Sequence, residues 1–239
     1  MFREIKKKML ILENRKPYSR EVIASFDEIN LIDWVYSSMN LDGCSISKQV
    51  VEKILKGHFI EEASVSDHLS IENYKKTIKL EFDMADMEID LNIKYIFKIY
   101  KTLVEDQPLE YRKSNPILKA FNYNPPHPKE IEEQMDILVK WIGNDNCDNN
   151  PILKAAYLHN KFIEIYPFEV HSEAVARMLM NYELIRNSFP PVGLNISRKE
   201  YNDAIILYLK NEDIKPIYNA LIRSIFNKLE LMLQITEEC

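Results

Sequence analysis

Apolar residues recur at intervals of three and four along almost the whole chain, and polar start signals and prolines cut that pattern into separate lengths. In IEEQMDILVKWI (131–142), Ile131, Met135, Leu138, Val139 and Ile142 fall on one helical face. Pro128 stands just ahead, where a missing N–H costs little. Asn150 and Pro151 supply an N-cap and a first helical residue for PILKAAYLHNKFIEI, which is apolar on most sides and therefore predicted buried. That helix is expected to end at Tyr166, because a residue before proline is pushed out of the helical region. Ser47 caps KQVVEKILK, which Gly57 closes, and Ser197 to Glu200 form a capping box for RKEYNDAIILYLK. AVARMLMNYELIRN stops before Phe189-Pro190-Pro191, and Asp213 and Pro216 open a last amphipathic helix. Only residues 111–128, YRKSNPILKAFNYNPPHP, break the helical period; their Asn, Pro and aromatic residues predict an irregular hairpin. The expected fold class is all-α, one helical domain with a small β-hairpin flap.

The chain's 239 residues can bury one sizeable core. A net charge of −6 argues against a nucleic-acid surface, which needs a basic excess; Lys6-Lys7-Lys8 reads as a solvated helix face. The apolar run MLIL near the N-terminus is too short for a leader or a membrane span. Cys44, Cys147 and Cys239 lie far apart in no metal-like spacing, so reduced thiols and a cytoplasmic location are expected. The glycines, Gly43, Gly57, Gly143 and Gly193, are scattered, and no glycine-rich phosphate loop can be assembled from them.

One stretch invites a catalytic reading. IYPFEVHSEAVAR (165–177) places His171, Ser172 and Glu173 side by side. Neighbours on a helical turn point about 100° apart, so these three cannot form a hydrogen-bonded relay. Their simplest roles are local: Ser172 as a helix cap, Glu173 as an acid favoured at the positive helix end, and His171 as a partly exposed loop residue. His159 is expected to be a buried or half-buried residue with its hydrogen bonds satisfied, and Tyr166 packed at a helix end.

The order of several pieces resembles the Fic family. NYNPPHPKEIEEQMDILVKWI looks like the family's flap exit and next helix, and PILKAAYLHNKFIEIYPF like the helix leading into its active-site motif. RMLMNYELIRNSFPPV is similar to the helix and turn that leave the motif, and SDHLSIENYKKT to a middle helix. WVYSSMNLDGCSIS resembles the segment carrying the inhibitory motif Ser/Thr-x-x-x-Glu-Gly/Asn. The likeness spans residues 34–230 and implies a division into an N-terminal helical extension, 1–33, and a Fic-like domain, 34–239. Within that domain lie the inhibitory-type segment 34–47, the flap 111–124 and the motif region 166–177.

Active members transfer AMP from ATP to a protein hydroxyl with the motif His-Pro-Phe-x-Asp/Glu-Gly-Asn-Gly-Arg-x-x-Arg. The resemblance puts Tyr166 at the position of the general base and Val170 at that of the magnesium ligand. His171, Ser172 and Glu173 replace the Gly-Asn-Gly phosphate turn, and Ala174 the first arginine; only Pro167, Phe168 and Arg177 match. A phenol is a poor base near neutral pH, valine cannot ligate Mg²⁺, and a glutamate brings negative charge to a phosphate site. No metal site and no cofactor are therefore expected, ATP and Mg²⁺ entering only if non-standard residues do the chemistry. Ser38 and Asp42 align with the inhibitory motif, and the resemblance pairs Asp42 with Arg177. The flap, with Tyr111, Arg112, Ser114, Asn115, Ile117 and Lys119, is expected to meet a protein partner by β-augmentation. The sequence thus predicts a Fic-fold pseudoenzyme with a binding or regulatory role, through the flap or a homodimer interface, the alternative being a divergent nucleotidyl or phosphoryl transferase.

Overall fold

The computed structural model describes residues 1–144 and 150–237; Cys147 and Cys239 lie outside them. Ten α-helices are present among the described residues. In chain order they are α1 (Phe2–Asn14), α2 (Arg20–Leu41), α3 (Lys48–Leu55), α4 (Val65–Asp86), α5 (Ile93–Leu103), α6 (Ile131–Ile142), α7 (Pro151–Ile165), α8 (Ser172–Arg186), α9 (Arg198–Asn211) and α10 (Lys215–Ile235). A single 3-10 turn, Pro128–Glu130, leads into α6. No described helix is long and apolar enough to cross a membrane.

The start signals act where local chemistry places them. Asn150 Oδ1 accepts the Leu153 N–H, with Pro151 at the first helical position. Ser47 caps α3, and Ser197 and Glu200 close a reciprocal capping box on α9. Ser64 and Asp67 do the same for α4. On α6, Ile131, Met135, Leu138 and Ile142 are buried, and Val139 is half-buried at the edge of that face.

α7 and α8 form the centre. Every residue of α8 from Ala174 to Leu184 is buried, so this helix has no solvent face over that length. α4 and α5 pack on α8, while α6, α9 and α10 pack on α7. α2 lies across α3, α4, α9 and α10. α1 docks on α10, where Lys8 pairs with Glu230 at 2.6 Å and Arg15 with Glu237 at 3.0 Å. Residues 33 and 34 are consecutive inside α2, so the division expected between an extension and a core domain falls in the middle of one helix. The apolar period runs on through that point because Ile32, Trp34 and Val35 are all buried.

The β-hairpin flap is not confirmed. Residues 111–124 contain one isolated antiparallel bridge, Leu118 with Tyr123, and no strand. The physical reasons are local: Pro116 lacks a ladder donor and Asn122 turns the chain at φ 49°. The segment takes its shape from side-chain anchors instead.

Candidate functional site

The α7–α8 connection, residues 166–171, is held by an aromatic anchor and two left-handed residues. The Phe168 ring is fully buried and stacks on Tyr100 with centroids 3.8 Å apart, with Phe97 edge-on at 5.5 Å. Tyr166 takes φ 48°, and its N–H closes α7 on Phe162 O at 2.9 Å. His171 takes φ 62° and is exposed.

The reading of Ser172 as a helix cap is corrected. His171 occupies the cap position without a side-chain bond, and Ser172 is already helical and buried. Its hydroxyl accepts the Phe168 N–H at 3.0 Å and donates to Phe168 O at 3.1 Å. Ser172 therefore staples the turn to itself, and no nucleophile is offered there. His159 is buried too: Nδ1 donates to Asn160 Oδ1, and Nε2 accepts the Tyr201 hydroxyl, both at 2.9 Å. Burial pushes its pKa down to about 4, so the ring is neutral.

Arg177, 2 % exposed, continues that chain of bonds. It donates from Nη1 to the Tyr201 hydroxyl at 3.3 Å, and from Nη2 to Ser38 O at 3.3 Å and to Asp42 Oδ1. Tyr74 donates its hydroxyl to Asp42 Oδ2 at 2.6 Å. Burial opposes the guanidinium charge, but Asp42, Tyr201 and Tyr74 outweigh it and hold the pKa well above its ordinary value. The structure thus brings Ser38, Asp42 and Arg177 together; Ser38 contributes its carbonyl. Tyr74 and Tyr201, which the sequence did not single out, complete the group, and neither spacing nor composition marks them.

Around Tyr166 the charges are negative. Burial, then Glu173 and Asp42, push its phenol up to about 12, against the pull of Arg112. Burial raises the Glu173 carboxyl as well, with Arg177 opposing and Asp42 adding to the rise.

Arg112 departs from its expected place on a target-binding surface. It is 1 % exposed, and none of its hydrogen bonds among the described residues goes to an acid. Its donors go to carbonyls: Nε to Tyr166 O at 2.7 Å, Nη1 to Ser114 O at 2.8 Å and Nη2 to Pro126 O, while its N–H meets Pro167 O at 2.8 Å. Ile165 O also accepts from Nη2, at 3.4 Å, so the cation sits at the negative end of α7. Arg112 bolts residues 111–126 to the Pro-Phe turn. Glu169 adds a second bolt that sequence reasoning missed: Oε1 accepts the Lys113 and Ser114 N–H groups at 2.8 and 2.9 Å, and Ser114 donates its hydroxyl to Oε2 at 2.6 Å. Ser114, Asn115, Ile117 and Lys119 are exposed, and Tyr111 is half-buried.

At position 170, where the resemblance implies a magnesium ligand, the chain offers none. Val170 offers no oxygen ligand, and no described group of three His, Cys, Asp or Glu side chains can hold a metal ion. The turn that would cradle phosphate presents a histidine side chain and a half-buried carboxylate.

Comparison with known proteins identifies the fold. The chain superposes on a Fic-domain-containing signalling protein from Bacteroides thetaiotaomicron with TM-score 0.84, 21% identity, and coverage of 99% of this chain and 97% of that one. It superposes on residues 134–508 of Fic-1 from C. elegans with TM-score 0.83 and 19% identity, covering 99% of this chain and 72% of that one. The fold is therefore that of Fic proteins. Residues 90–184 match the family model described as the Fic/DOC family. Protein adenylyltransferase Fic of Drosophila melanogaster is 24% identical over 212 residues, 85% of this chain and 42% of that protein. The Aedes aegypti protein of the same name is 24% identical over 244 residues, 94% of this chain and 48% of that one. The chain spans less than half the length of these curated relatives.

Proposed function

We propose that this chain is a Fic-fold pseudoenzyme: it keeps the family's framework without AMP transfer and works by binding or regulation in the cytoplasm. The observation that carries this reading is the charge at the motif turn. Burial, with Glu173 and Asp42 adding to it, pushes the Tyr166 phenol up to about 12, so a phosphate chain placed there meets carboxylates and no available base. In this reading the Asp42–Arg177 pair, inherited from an inhibitory arrangement, organises the fold and switches nothing.

The partner is a protein, and residues 115–119 are the part of the flap left to meet it. Lys113 and Ser114 already spend their N–H groups on Glu169, so pairing with an extended peptide there requires displacing that carboxylate.

Calorimetric titration with Mg-ATP tests the proposal. Absence of binding at millimolar ATP is the expected result, with no protein labelled when the chain is incubated with labelled ATP and a cell extract. Micromolar binding, or transfer of label that Tyr166→Phe abolishes, would replace this reading with that of a divergent nucleotidyltransferase.

A further inference from the structure

A cavity of about 950 Å³ opens between α2, the loop 193–197 and α10, on the side of α2 away from the motif. Ser38 and Asp42, which meet Arg177, lie about 180° round α2 from Asp33, Tyr36 and Asn40, which line the cavity.

Its walls are fixed by hydrogen bonds. Ser37 donates its hydroxyl to Leu194 O at 2.8 Å, the Gly193 N–H meets Asp33 Oδ2 at 3.3 Å, and the Asn195 N–H meets Ser224 Oγ at 3.1 Å. Gly193 is required for this approach: a Cβ there would fall 2.4 Å from Ser37 Cβ and 2.5 Å from Asp33 O. Such a cavity is preformed.

Its polar lining is unevenly spent. Lys228, with a side chain only 5% exposed, places its ammonium 2.9 Å from Asp33 Oδ2 and 3.2 Å from Ile29 O. An ammonium has three donors, and two acceptors are accounted for. The acids are engaged as well. Glu28 and Glu52 each pair with Lys56 at 2.7 Å, Asp33 with Lys228, and Glu200 with the Ser197 hydroxyl and N–H. By contrast, Lys48 and Arg198 line the cavity without an ion pair or hydrogen bond among the described residues. Lys48 is near enough to Lys228 to help lower its pKa, after burial. Arg198 lies over Gly43, whose φ of 94° and missing Cβ leave room for the guanidinium. The groups still able to bind are thus cationic, while Ile29, Ile32, Leu194, Ile196 and Leu231 supply apolar wall.

We infer that this cavity is a binding site for a small molecule with an oxyanion head, a carboxylate or a phosphate ester, on an apolar body. The head group meets Lys48, Arg198 and the remaining Lys228 donor; the body lies on the isoleucine and leucine wall. The inference does not rest on whether residues 166–177 are active, although Arg198 also acts on the Glu173 carboxyl of that segment.

The test is an NMR titration of the full chain, reading lysine side-chain and Leu194 amide resonances, with hexanoate, hexyl phosphate, inorganic phosphate and hexyltrimethylammonium. Saturable shifts with hexanoate or hexyl phosphate are expected, and whichever binds tighter identifies the head group. The double variant Lys48→Ala/Arg198→Ala changes two exposed side chains and should keep its thermal melt while weakening that binding about tenfold or more. Three results would overturn the inference: no saturation with either probe up to roughly 10 mM, equal binding of the ammonium compound or of inorganic phosphate alone, or unchanged affinity in the double variant.

Discussion

Arg177 shows how much one side chain depends on another drawn from far along the sequence. Removing Asp42 strands a buried guanidinium, and Asp42→Ala is expected to lower unfolding free energy by about 3 kcal/mol, measured by denaturant titration. The low end of the usual range applies because the Asp42 side chain is 29% exposed. His159, in the same group, carries the pH dependence. Its folded pKa of about 4 lies below the ordinary value of 6.5, so the unfolded chain takes up the proton first. Its contribution is complete above pH 6.5 and is lost as pH falls toward 4, about 3 kcal/mol in all. His159→Gln should flatten this acid limb in melts run across that range. Position 177 was readable from the motif register, and the pairing with Asp42 from the resemblance. The roles of Ser172 and Arg112 were not readable. Ser172 bonds back to Phe168, and Arg112 reaches carbonyls more than fifty residues away, contacts that leave no periodic trace.

Helix starts and stops were legible for a different reason. Caps such as Asn150, Ser47 and Ser197 act on N–H groups three residues ahead, so the whole cause lies within a few positions of sequence. The flap had no such local cause, and a hairpin was expected where anchored irregular chain is found. If Glu169 is the bolt described above, Glu169→Ala should lose exchange protection at the Lys113 and Ser114 amides while α7 and α8 keep theirs. Within α4 the sequence gives no hint of a liability: Glu81 is fully buried, and neither carboxylate oxygen has a partner. Burial raises its pKa well above the ordinary value, so the folded chain binds this proton more readily than the unfolded chain. Its effect on stability is therefore best below the unfolded pKa and worsens as pH rises. Glu81→Met is expected to stabilise the protein by about 2 kcal/mol at pH 7, with the gain shrinking toward pH 4, in paired denaturant titrations.

Over the whole molecule the two linkages run in opposite directions: His159 favours the neutral side and Glu81 the acid side. The wild-type stability curve carries both limbs, and each single variant is expected to lose one of them, His159→Gln the acid limb and Glu81→Met the fall toward neutral pH. The core tying these helices together converges on the Phe168 ring, and Phe168→Ala should cost about 3–5 kcal/mol and loosen α5, α7 and α8 at once. The docking of α1 on α10 has a different consequence. Lys8 meets Glu230 and Arg15 meets Glu237, so the two helices run in the same direction. Anything joined ahead of Met1 and anything joined beyond Glu237 therefore departs from opposite ends of α1, about 20 Å apart for its 13 residues. Fluorophores fixed at those two points would read the docking directly, bright in energy transfer while α1 is seated and dim once it peels away.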